Sequence, residues 1–219
     1  MDRKIIITND GSTTIHLPEW DEQYHSKYGA IQEAKHVFIK NGLSLFSNDV
    51  ISILEIGFGT GLNSFVTFLE CERRDLTVDY VGVEAYPILT KEIEQLNYVS
   101  ALKADNFSAI FAKMHQQEWE LKNTISEKFS LTKRKQFFNE ITDDNCYNLI
   151  YFDAFGARVQ PELWTEDIFK IMYKALRKGG VLVTYSAKGS VRRAMQSVGF
   201  VVERLAGPPG KREMLRATK

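Results

Sequence analysis

The sequence predicts an α/β fold in which a mostly parallel sheet is covered by helices and ends in an antiparallel pair of strands. Two observations predict this class. From residue 50 onward, short apolar runs typical of buried strands alternate with amphipathic segments of helical length. Near the end of the chain, two strand-like runs, 199–205 and 213–217, flank the turn-rich segment Gly207-Pro208-Pro209-Gly210. This closing pair is expected to pack antiparallel at the edge of the sheet.

The core elements follow from apolar spacing. Four runs are typical of buried strands: Val50–Ile56, Thr77–Glu84, Tyr147–Asp153 and Val181–Tyr185. Four segments have the length and spacing of covering helices: Leu62–Arg73, Pro87–Asn97, Phe107–Lys122 and Thr165–Arg177. Gly179-Gly180 is expected to end the last helix. The region from Ile125 to Glu140 mixes charge with aromatic residues and fits either one strand or two.

A smaller unit is expected before the core. Runs 4–8 and 13–16 flank the turn residues Asn9-Asp10-Gly11-Ser12, which predicts a β-hairpin. The amphipathic segment Ala30–Asn41 predicts a helix with Gly42 as its C-cap. A chain of 219 residues suits one domain, with this hairpin and helix over residues 1–48 and the core over 49–219.

Composition excludes several classes of protein. No apolar run approaches the roughly 20 residues needed to span a bilayer, so no membrane association is expected. Cys71 and Cys146 lack ligand-like spacing, which argues against a disulfide framework or a metal site and favours a cytoplasmic protein. The formal net charge is zero, yet residues 178–219 carry nine basic and two acidic residues. This asymmetry fits a surface that faces a polyanion, or simply a solvated basic face.

The strongest local signal is a glycine-rich loop between a buried strand and a helix. Gly57, Gly59 and Gly61 let the chain turn tightly and let a ligand approach the backbone. A dinucleotide fold would place a further glycine at position 62, where this chain has leucine. The spacing therefore favours S-adenosylmethionine over a pyrophosphate ligand. The expected cofactor-binding residues of this segment are Glu55, Gly57, Phe58, Gly59, Thr60, Gly61 and Asn63.

Three of the predicted strands carry a carboxylate at or next to their carboxyl end. Glu55 precedes the first glycine and suits the amino acid end of the cofactor, whereas Glu84 ends the next strand and suits the ribose hydroxyls. Two alternatives remain open here: a purely structural turn with Glu84 capping a helix, and a nicotinamide cofactor. Asp153 ends a third strand, at the edge where open α/β sheets build their sites. Its Asp-Ala-Phe-Gly context departs from the Asp-Pro-Pro-Tyr-like motif of enzymes that methylate exocyclic base amines.

Taken together, these features resemble the methyltransferase module of the MnmC family, bacterial proteins that make 5-methylaminomethyl-2-thiouridine at the tRNA wobble position. The resemblance covers nearly the whole chain and implies a Rossmann-like class I methyltransferase fold. It depends on four groups of residues: 24–38 with Tyr24, Ser26 and Glu33; 55–63; Asp153-Ala154-Phe155 with Pro161 and Trp164; and 184–193 with Gly199-Phe200 and 210–214. At 138–141 the chain departs from the family's glycine and aspartate, so no adenine contact is inferred there.

The resemblance implies a specific reaction, methylation of the aminomethyl nitrogen of a wobble (2-thio)uridine by S-adenosylmethionine. Asp153 is the candidate catalytic residue, which orients the amine and takes its proton; the alternative is that it only contacts the cofactor or caps the next loop. The implied partner is the anticodon stem-loop of tRNA, with no obligate protein partner expected. FAD is not expected, because 219 residues leave no room for the oxidase module of the bifunctional family members. No metal is expected, since His25 and His36 lack a third ligand.

The remaining candidate residues are assigned by their match to the family motifs. Tyr24, Ser26 and Glu33 are expected to cover the cofactor or to line the target pocket. Phe155 and Trp164 are candidates to stack on an extruded uridine or to pack in the core. The basic candidates for anticodon-stem phosphates are Lys188, Arg192, Arg193, Lys211 and Arg212. Two other functions stay open: a methyltransferase for a small-molecule amine, and a binding protein without activity.

Overall fold

The computed structural model describes residues 2–47, 50–74 and 76–219. Over these residues the chain forms a three-stranded antiparallel sheet near the N-terminus and an eight-stranded mixed sheet. The boundary expected between residues 48 and 49 lies outside the described residues.

The N-terminal sheet contains the predicted hairpin. Strands β1 (Lys4–Ile7) and β2 (Thr13–Leu17) pair antiparallel, and the short strand β3 (Glu22–Gln23), which was not predicted, pairs with β2. Asp10 in the hairpin turn accepts hydrogen bonds from the Thr8 hydroxyl at 2.8 Å and from the Gln32 N–H at 2.9 Å. The turn is therefore fixed to the helix that follows.

That helix has the predicted extent but an unexpected geometry. Helix α1 (Ala30–Ala34) continues as a π-helical segment, Lys35–Lys40, and Asn41 is its C-cap. The prediction of Gly42 as the C-cap is wrong, because its φ of −118° lies outside the left-handed region used by glycine caps. A side chain is excluded there for another reason: a Cβ at Gly42 would lie 2.6 Å from the Phe38 carbonyl oxygen.

The large sheet has the topology expected of a Rossmann-like methyltransferase. Its strands are β4 (Val50–Ile56), β5 (Thr77–Val83), β6 (Lys122–Ser126), β7 (Phe129–Arg134), β8 (Tyr147–Phe152), β9 (Leu176–Thr184), β10 (Val201–Ala206) and β11 (Glu213–Thr218). Their order is β10-β11-β9-β8-β4-β5-β7-β6. The five central strands run parallel, whereas β6, β10 and β11 each pair antiparallel with their neighbours. The fold class and the antiparallel closing pair are confirmed.

The described residues of the core form six α-helices where the sequence predicted four, and only one of them has the predicted bounds. They are α2 (Leu62–Arg73), α3 (Thr90–Ile93), α4 (Tyr98–Ala101), α5 (Ser108–Gln116), α6 (Glu166–Ala175) and α7 (Gly189–Ser197). Helical turns also occupy Leu43–Leu45, Asp105–Phe107, Phe138–Glu140 and Pro161–Trp164. Helix α2 has the predicted bounds, α6 is shorter at both ends, and α7 was not predicted.

Two predicted helices were too long, and tertiary contacts give the reason. Helix α3 occupies only part of 87–97, because the Asn97 side chain accepts a hydrogen bond from the Thr13 N–H at 2.8 Å and holds the chain against the hairpin. The segment predicted as Phe107–Lys122 leaves the helix after Gln116 and turns through Glu120, whose φ is 66°, into β6. Region 125–140 contains parts of two strands, β6 and β7.

The predicted role of Gly179-Gly180 at the end of a helix is also wrong. Helix α6 ends at Ala175, and both glycines lie inside β9, where the register against β8 shifts. Gly179 has a φ of 75°, a conformation that suits glycine at such an irregularity.

The large sheet is buried on both faces, which leaves its strand ends as the place for a site. Helices α2 and α5 pack Phe65, Phe68 and Phe111 on one face, while α6 and α7 pack Phe169 and Met195 on the other. Within 2–47, 50–74 and 76–219, no helix is long and apolar enough to cross a membrane. Strand order reverses between β4 and β8, so the carboxyl ends of these strands open a crevice suited to ligand binding.

Gly82 in β5 gives a test of how this crevice is packed. A Cβ at Gly82 would lie 2.3 Å from Cδ2 of the buried Phe58 ring, so Gly82→Ala must displace the glycine-rich loop. We expect a loss of about 1–3 kcal/mol in the free energy of unfolding, measured by chemical denaturation. Gly156→Ala is the matched control, because its added Cβ meets side-chain atoms only at 3.7 Å and 3.8 Å. Equal stability of the two variants would contradict this packing.

Candidate active site

The glycine-rich loop adopts the conformation that its sequence predicts. Gly57, Gly59 and Gly61 have φ values of 89°, 48° and 71°, all in the region that favours glycine. A Cβ at Gly57 would lie 2.7 Å from the Asp153 carbonyl oxygen, so the loop and the end of β8 touch through their backbones. The N–H groups of Gly57 and Phe58 both donate to the Val83 carbonyl at 3.0 Å. The ends of β4, β5 and β8 are thus held together around this loop.

A buried amide lies between two carboxylates at the base of the loop. The Asn63 Nδ2 group donates to Glu55 Oε1 at 2.9 Å and to Asp153 Oδ2 at 2.8 Å. The Asn63 Oδ1 atom is buried and has no hydrogen-bond partner among the described residues. An acceptor left open in this way can receive a donor from a bound ligand.

Burial governs the protonation of both carboxyl groups. It raises the pKa of Glu55 well above its ordinary value, and the neighbouring Asp153 carboxylate adds to the effect. Burial also raises the pKa of Asp153 to about 7, with a further increase from Glu33 and opposing contributions from the Asn63 hydrogen bond and Lys211. Asp153 therefore changes charge near neutral pH, as a residue that takes and releases a proton must do.

Glu84 lies at the end of β5 and is positioned by two backbone groups. Its Oε2 accepts a hydrogen bond from the Gly59 N–H at 3.0 Å, and its Oε1 accepts one from the Tyr86 N–H at 2.9 Å. Each carboxylate oxygen keeps a second lone pair, so the group can still accept hydrogen bonds from two hydroxyls. Glu84 is half-buried and faces the same cavity as Gly59.

A cavity of about 940 Å³ opens over these strand ends, a size ordinary for small-molecule sites. Among the predicted residues, the cavity wall includes Tyr24, Gly57, Phe58, Gly59, Glu84, Asp153 and Phe155. Phe155 makes edge-to-face contacts with Trp20 and Tyr24, with ring centroids 5.7 Å and 5.0 Å apart. These three half-buried rings form an aromatic wall near Asp153.

The charge of the cavity is predominantly acidic. Four carboxyl-bearing residues line it, namely Glu84, Glu140, Asp153 and Glu162. Arg3 also lines it, but its guanidinium pairs with Glu92 at 3.1 Å and donates to the Tyr86 carbonyl at 2.9 Å. Such a cavity favours cationic ligands and disfavours the phosphates of a nicotinamide dinucleotide.

The residues present fit S-adenosylmethionine, whose sulfonium and ammonium groups are positive. Gly57 and Gly59 provide a backbone surface without side chains, and Glu84 provides acceptors suited to a ribose. Asp153 lines the cavity, whereas Glu55 and Asn63 are buried and do not line it. The unpartnered Asn63 Oδ1 and the two carboxyl groups have the acceptor chemistry that suits an ammonium. Over the described residues, no group of three His, Cys, Asp or Glu residues is arranged to hold a metal ion.

Other predicted site residues lie behind the cavity wall. Thr60 is buried and accepts a hydrogen bond from the Tyr98 hydroxyl at 3.0 Å. Trp164 is 5% exposed, packs against Phe152 and donates its indole N–H to the Phe155 carbonyl at 2.7 Å. The structure therefore does not bring Trp164 to the cavity, because its ring completes the core under Phe155.

The predicted N-terminal residues also differ in whether they line the cavity. Tyr24 lines the cavity, whereas Ser26 and Glu33 do not. Glu33 is buried, accepts the Ser26 N–H at 3.0 Å and forms an ion pair with Lys211. Lys211 was predicted to contact phosphates, but its ammonium is occupied by this pair and by the Tyr185 ring.

The other basic candidates lie at the start of helix α7, within it, and in the turn between β10 and β11. Lys188, Arg193 and Arg212 are exposed, and Arg192 is half-buried. Lys188 is the N-cap of α7 and follows the carboxyl end of β9, the same edge of the sheet that carries Asp153. The structure thus brings basic side chains to the edge of the sheet that contains the cavity.

Several cavity residues were not predicted as site residues. They include Arg3, Trp20, Tyr86, Phe137 and Glu162. Trp20 begins an aromatic stretch that is evident in the sequence, but its contact with Phe155 joins distant parts of the chain. Arg158, also distant in sequence, donates to the Trp20 carbonyl at 3.1 Å. Arg3 lies on the N-terminal segment and reaches the loop after β5, more than 80 residues away in sequence. No local pattern indicates such contacts.

Comparison with known proteins identifies the class of this site. Residues 94–219 match the family of S-adenosyl-L-methionine-dependent methyltransferases, and the chain belongs to that family. Its cofactor is accordingly S-adenosylmethionine, as the glycine spacing predicted.

Relatives narrow the resemblance to one group of tRNA-modifying proteins. The chain is 30% identical over 220 residues to the "tRNA 5-methylaminomethyl-2-thiouridine biosynthesis bifunctional protein MnmC" of Marinomonas sp. (strain MWYL1), covering 91% of this chain and 31% of that protein. The protein of the same name from Delftia acidovorans is 29% identical, over 93% of this chain and 33% of its own length. The chain thus spans about a third of the length of these relatives.

Solved structures agree with this resemblance. The crystal structure of MnmC2 from Aquifex aeolicus superposes with a TM-score of 0.78 at 27% identity, covering 99% of this chain and 69% of that chain. Spermidine synthase from Thermotoga maritima, at 14% identity and a TM-score of 0.59, covers 99% of this chain and 72% of that chain; it shows the fold alone. The predicted family resemblance is confirmed.

Glu84 provides a test of the cofactor site. We expect Glu84→Gln to weaken binding of S-adenosylmethionine roughly 10- to 100-fold, because a charged acceptor for the ribose is replaced by a neutral one. Isothermal titration calorimetry measures the change, with the exposed residue Glu127, changed to Gln, as the matched control. Unchanged affinity in Glu84→Gln would remove this carboxylate from the cofactor site.

Proposed function

We propose that the protein transfers a methyl group from S-adenosylmethionine to the aminomethyl nitrogen of 5-aminomethyl-(2-thio)uridine at the tRNA wobble position, giving 5-methylaminomethyl-2-thiouridine. The observation that carries this proposal is Asp153, whose carboxyl group has a pKa of about 7 and faces an acidic cavity beside the glycine-rich loop. The names of the relatives from Marinomonas and Delftia support the choice of tRNA as substrate. The proposed site of action is the cytoplasm, where tRNA is found.

The cofactor is held, in this proposal, by residues at the ends of β4 and β5. Glu84 accepts hydrogen bonds from the ribose, and the backbone of residues 57–59 lies against the nucleoside. Glu55 and Asn63 receive the ammonium of its amino acid end, since a ligand cation offsets the burial of these groups. When bound, S-adenosylmethionine supplies a methyl carbon activated by positive sulfur.

Asp153 acts on the second substrate, the amine. An aliphatic amine is mostly protonated at neutral pH, so its lone pair must be freed before it attacks a carbon. Asp153 orients the ammonium through a charge-assisted hydrogen bond and accepts its proton, for which a pKa of about 7 is well matched. Holding the nitrogen in line with the methyl carbon contributes through effective molarity, which can lower a barrier by about 7–11 kcal/mol.

The aromatic wall and the charge of the cavity select the substrate. Trp20, Tyr24 and Phe155 offer flat apolar surface to a base that has left the anticodon stack. The acidic lining favours a substrate that carries an amine. Exposed basic groups of Lys188, Arg193 and Arg212 contact phosphates of the anticodon stem-loop and orient the RNA over the cavity.

The substrate assay tests this function directly. Using S-adenosylmethionine with a labelled methyl group, we expect label in tRNA that carries 5-aminomethyl-2-thiouridine and none in an unmodified transcript of the same sequence. The free nucleoside is the control for RNA recognition, because it offers the amine without phosphates. If the nucleoside accepts methyl as well as the tRNA does, the protein acts on small amines and the tRNA assignment fails.

The pH dependence of turnover tests the role of Asp153. Burial raises its pKa, so the group is protonated below about pH 7 and cannot accept a proton there. We expect kcat to fall with decreasing pH through about 7. Asp153→Asn keeps a side chain of the same shape, and we expect it to reduce kcat by at least about 100-fold, which is the usual contribution of a general base. Calorimetry should still detect cofactor binding; undiminished kcat in this variant would exclude the proposed role.

A further inference from the structure

The Glu33–Lys211 ion pair joins two distant parts of the chain, and neither residue lines the cavity. Glu33 is on α1 with 6% of its side chain exposed, and Lys211 is in the turn 207–212 between β10 and β11 with 31% exposed. The other oxygen of Glu33 accepts the Ser26 N–H at 3.0 Å. The Lys211 Nζ atom also lies 3.8 Å from the centroid of the Tyr185 ring, a cation–π contact. The ammonium is therefore fixed between a carboxylate and an aromatic face.

Tyr185 connects this pair to the strand end that carries Asp153. Its hydroxyl donates to the Ala154 carbonyl at 2.8 Å, and Ala154 follows Asp153 in the chain. The turn and the end of β10 before it contact the N-terminal segment at two further points. His36 contacts the Ala206 carbonyl at 2.8 Å, and Gly210 lies against the Tyr28 ring, where a Cβ would come within 2.1 Å of Cδ2.

We propose that Glu33 and Lys211 are positioning residues for Asp153: the ion pair sets the local charge around that carboxylate and, through Tyr185, fixes the backbone that follows it. This inference builds on the proposed role of Asp153 in methyl transfer. It assigns the pair a part in the reaction without direct contact with the cofactor or with RNA phosphates.

Titratable and polar groups from several elements surround Asp153. Glu55 approaches from β4, Tyr80 from β5, and Tyr185 from the end of β9, while Asn63 donates its hydrogen bond from α2. Glu33 raises the pKa of Asp153, and Lys211 lowers it. The two members of the ion pair thus oppose each other at Asp153, so the removal of one leaves the other uncompensated.

Neutralising Glu33 tests the inference with a definite sign. Glu33→Gln keeps an oxygen that can accept from the Ser26 N–H, and it leaves the partly exposed Lys211 charged. The negative neighbour of Asp153 is lost and the positive one remains, so the pKa of Asp153 must fall. We expect its titration midpoint to move down by about 0.5–1 pH unit, and the acid limb of kcat to move with it.

Two further variants distinguish an effect of charge on Asp153 from an effect on the stability of the fold. Lys211→Arg keeps the positive charge, so the midpoint should stay at the wild-type value. The double variant Glu33→Gln/Lys211→Met removes both charges, and its midpoint should return toward the wild-type value from that of Glu33→Gln. A merely structural pair would change stability or kcat in these variants without moving the midpoint in this pattern.

Two readouts keep this inference separate from the proposed function. Carboxyl ¹³C NMR of the full chain follows the titration of Asp153 without tRNA, with Asp153→Asn identifying the resonance. The pH profile of methyl transfer then follows the same group during turnover. A shifted NMR midpoint without any transfer to aminomethyl-tRNA would contradict the proposed function alone. An unshifted midpoint in Glu33→Gln would overturn the role of the pair.

Discussion

The Asn63 amide between Glu55 and Asp153 is the interaction on which the site depends. Ionising two carboxyl groups buried this close together has a large free-energy cost. The two N–H bonds of Asn63, at 2.9 Å and 2.8 Å, compensate part of this cost. They also join the end of β4 to the end of β8, where Gly57 meets the Asp153 backbone. The arrangement leaves Asp153 titrating near neutral pH and leaves the buried Asn63 Oδ1 without a hydrogen-bond partner among the described residues.

The formal net charge of the protein is zero, but its acidic and basic groups are concentrated in different places. Carboxyl groups line the cavity, which suits a sulfonium cofactor and an amine, whereas exposed basic residues follow β9 on the same edge of the sheet. A polyanion can therefore be held outside the cavity while a cationic group enters it. Some of the basic residues near the C-terminus form ion pairs within the protein: Lys211 pairs with Glu33, and Arg216 pairs with Glu203.

The sequence predicts those elements whose structure depends mainly on residues that are neighbours in the chain. Strands buried on both faces must be continuously apolar, and a loop without Cβ atoms needs glycine, so β4, α2 and residues 57–61 could be predicted from neighbouring residues alone. Contacts between residues that are far apart in the sequence could not be predicted in this way. Trp164 has the residue type of a stacking platform and becomes core because Phe152 and Phe169 surround it. The partner of Lys211 lies 178 residues away, and nothing in the basic tail indicates it.

The most direct test is a crystal structure of the protein with S-adenosylhomocysteine and an anticodon stem-loop that carries 5-aminomethyl-2-thiouridine. We expect the ribose of the cofactor product within hydrogen-bond distance of Glu84, and the aminomethyl nitrogen within about 3 Å of an Asp153 carboxylate oxygen. A nucleoside bound away from the glycine-rich loop, or an aminomethyl group directed away from Asp153, would contradict it.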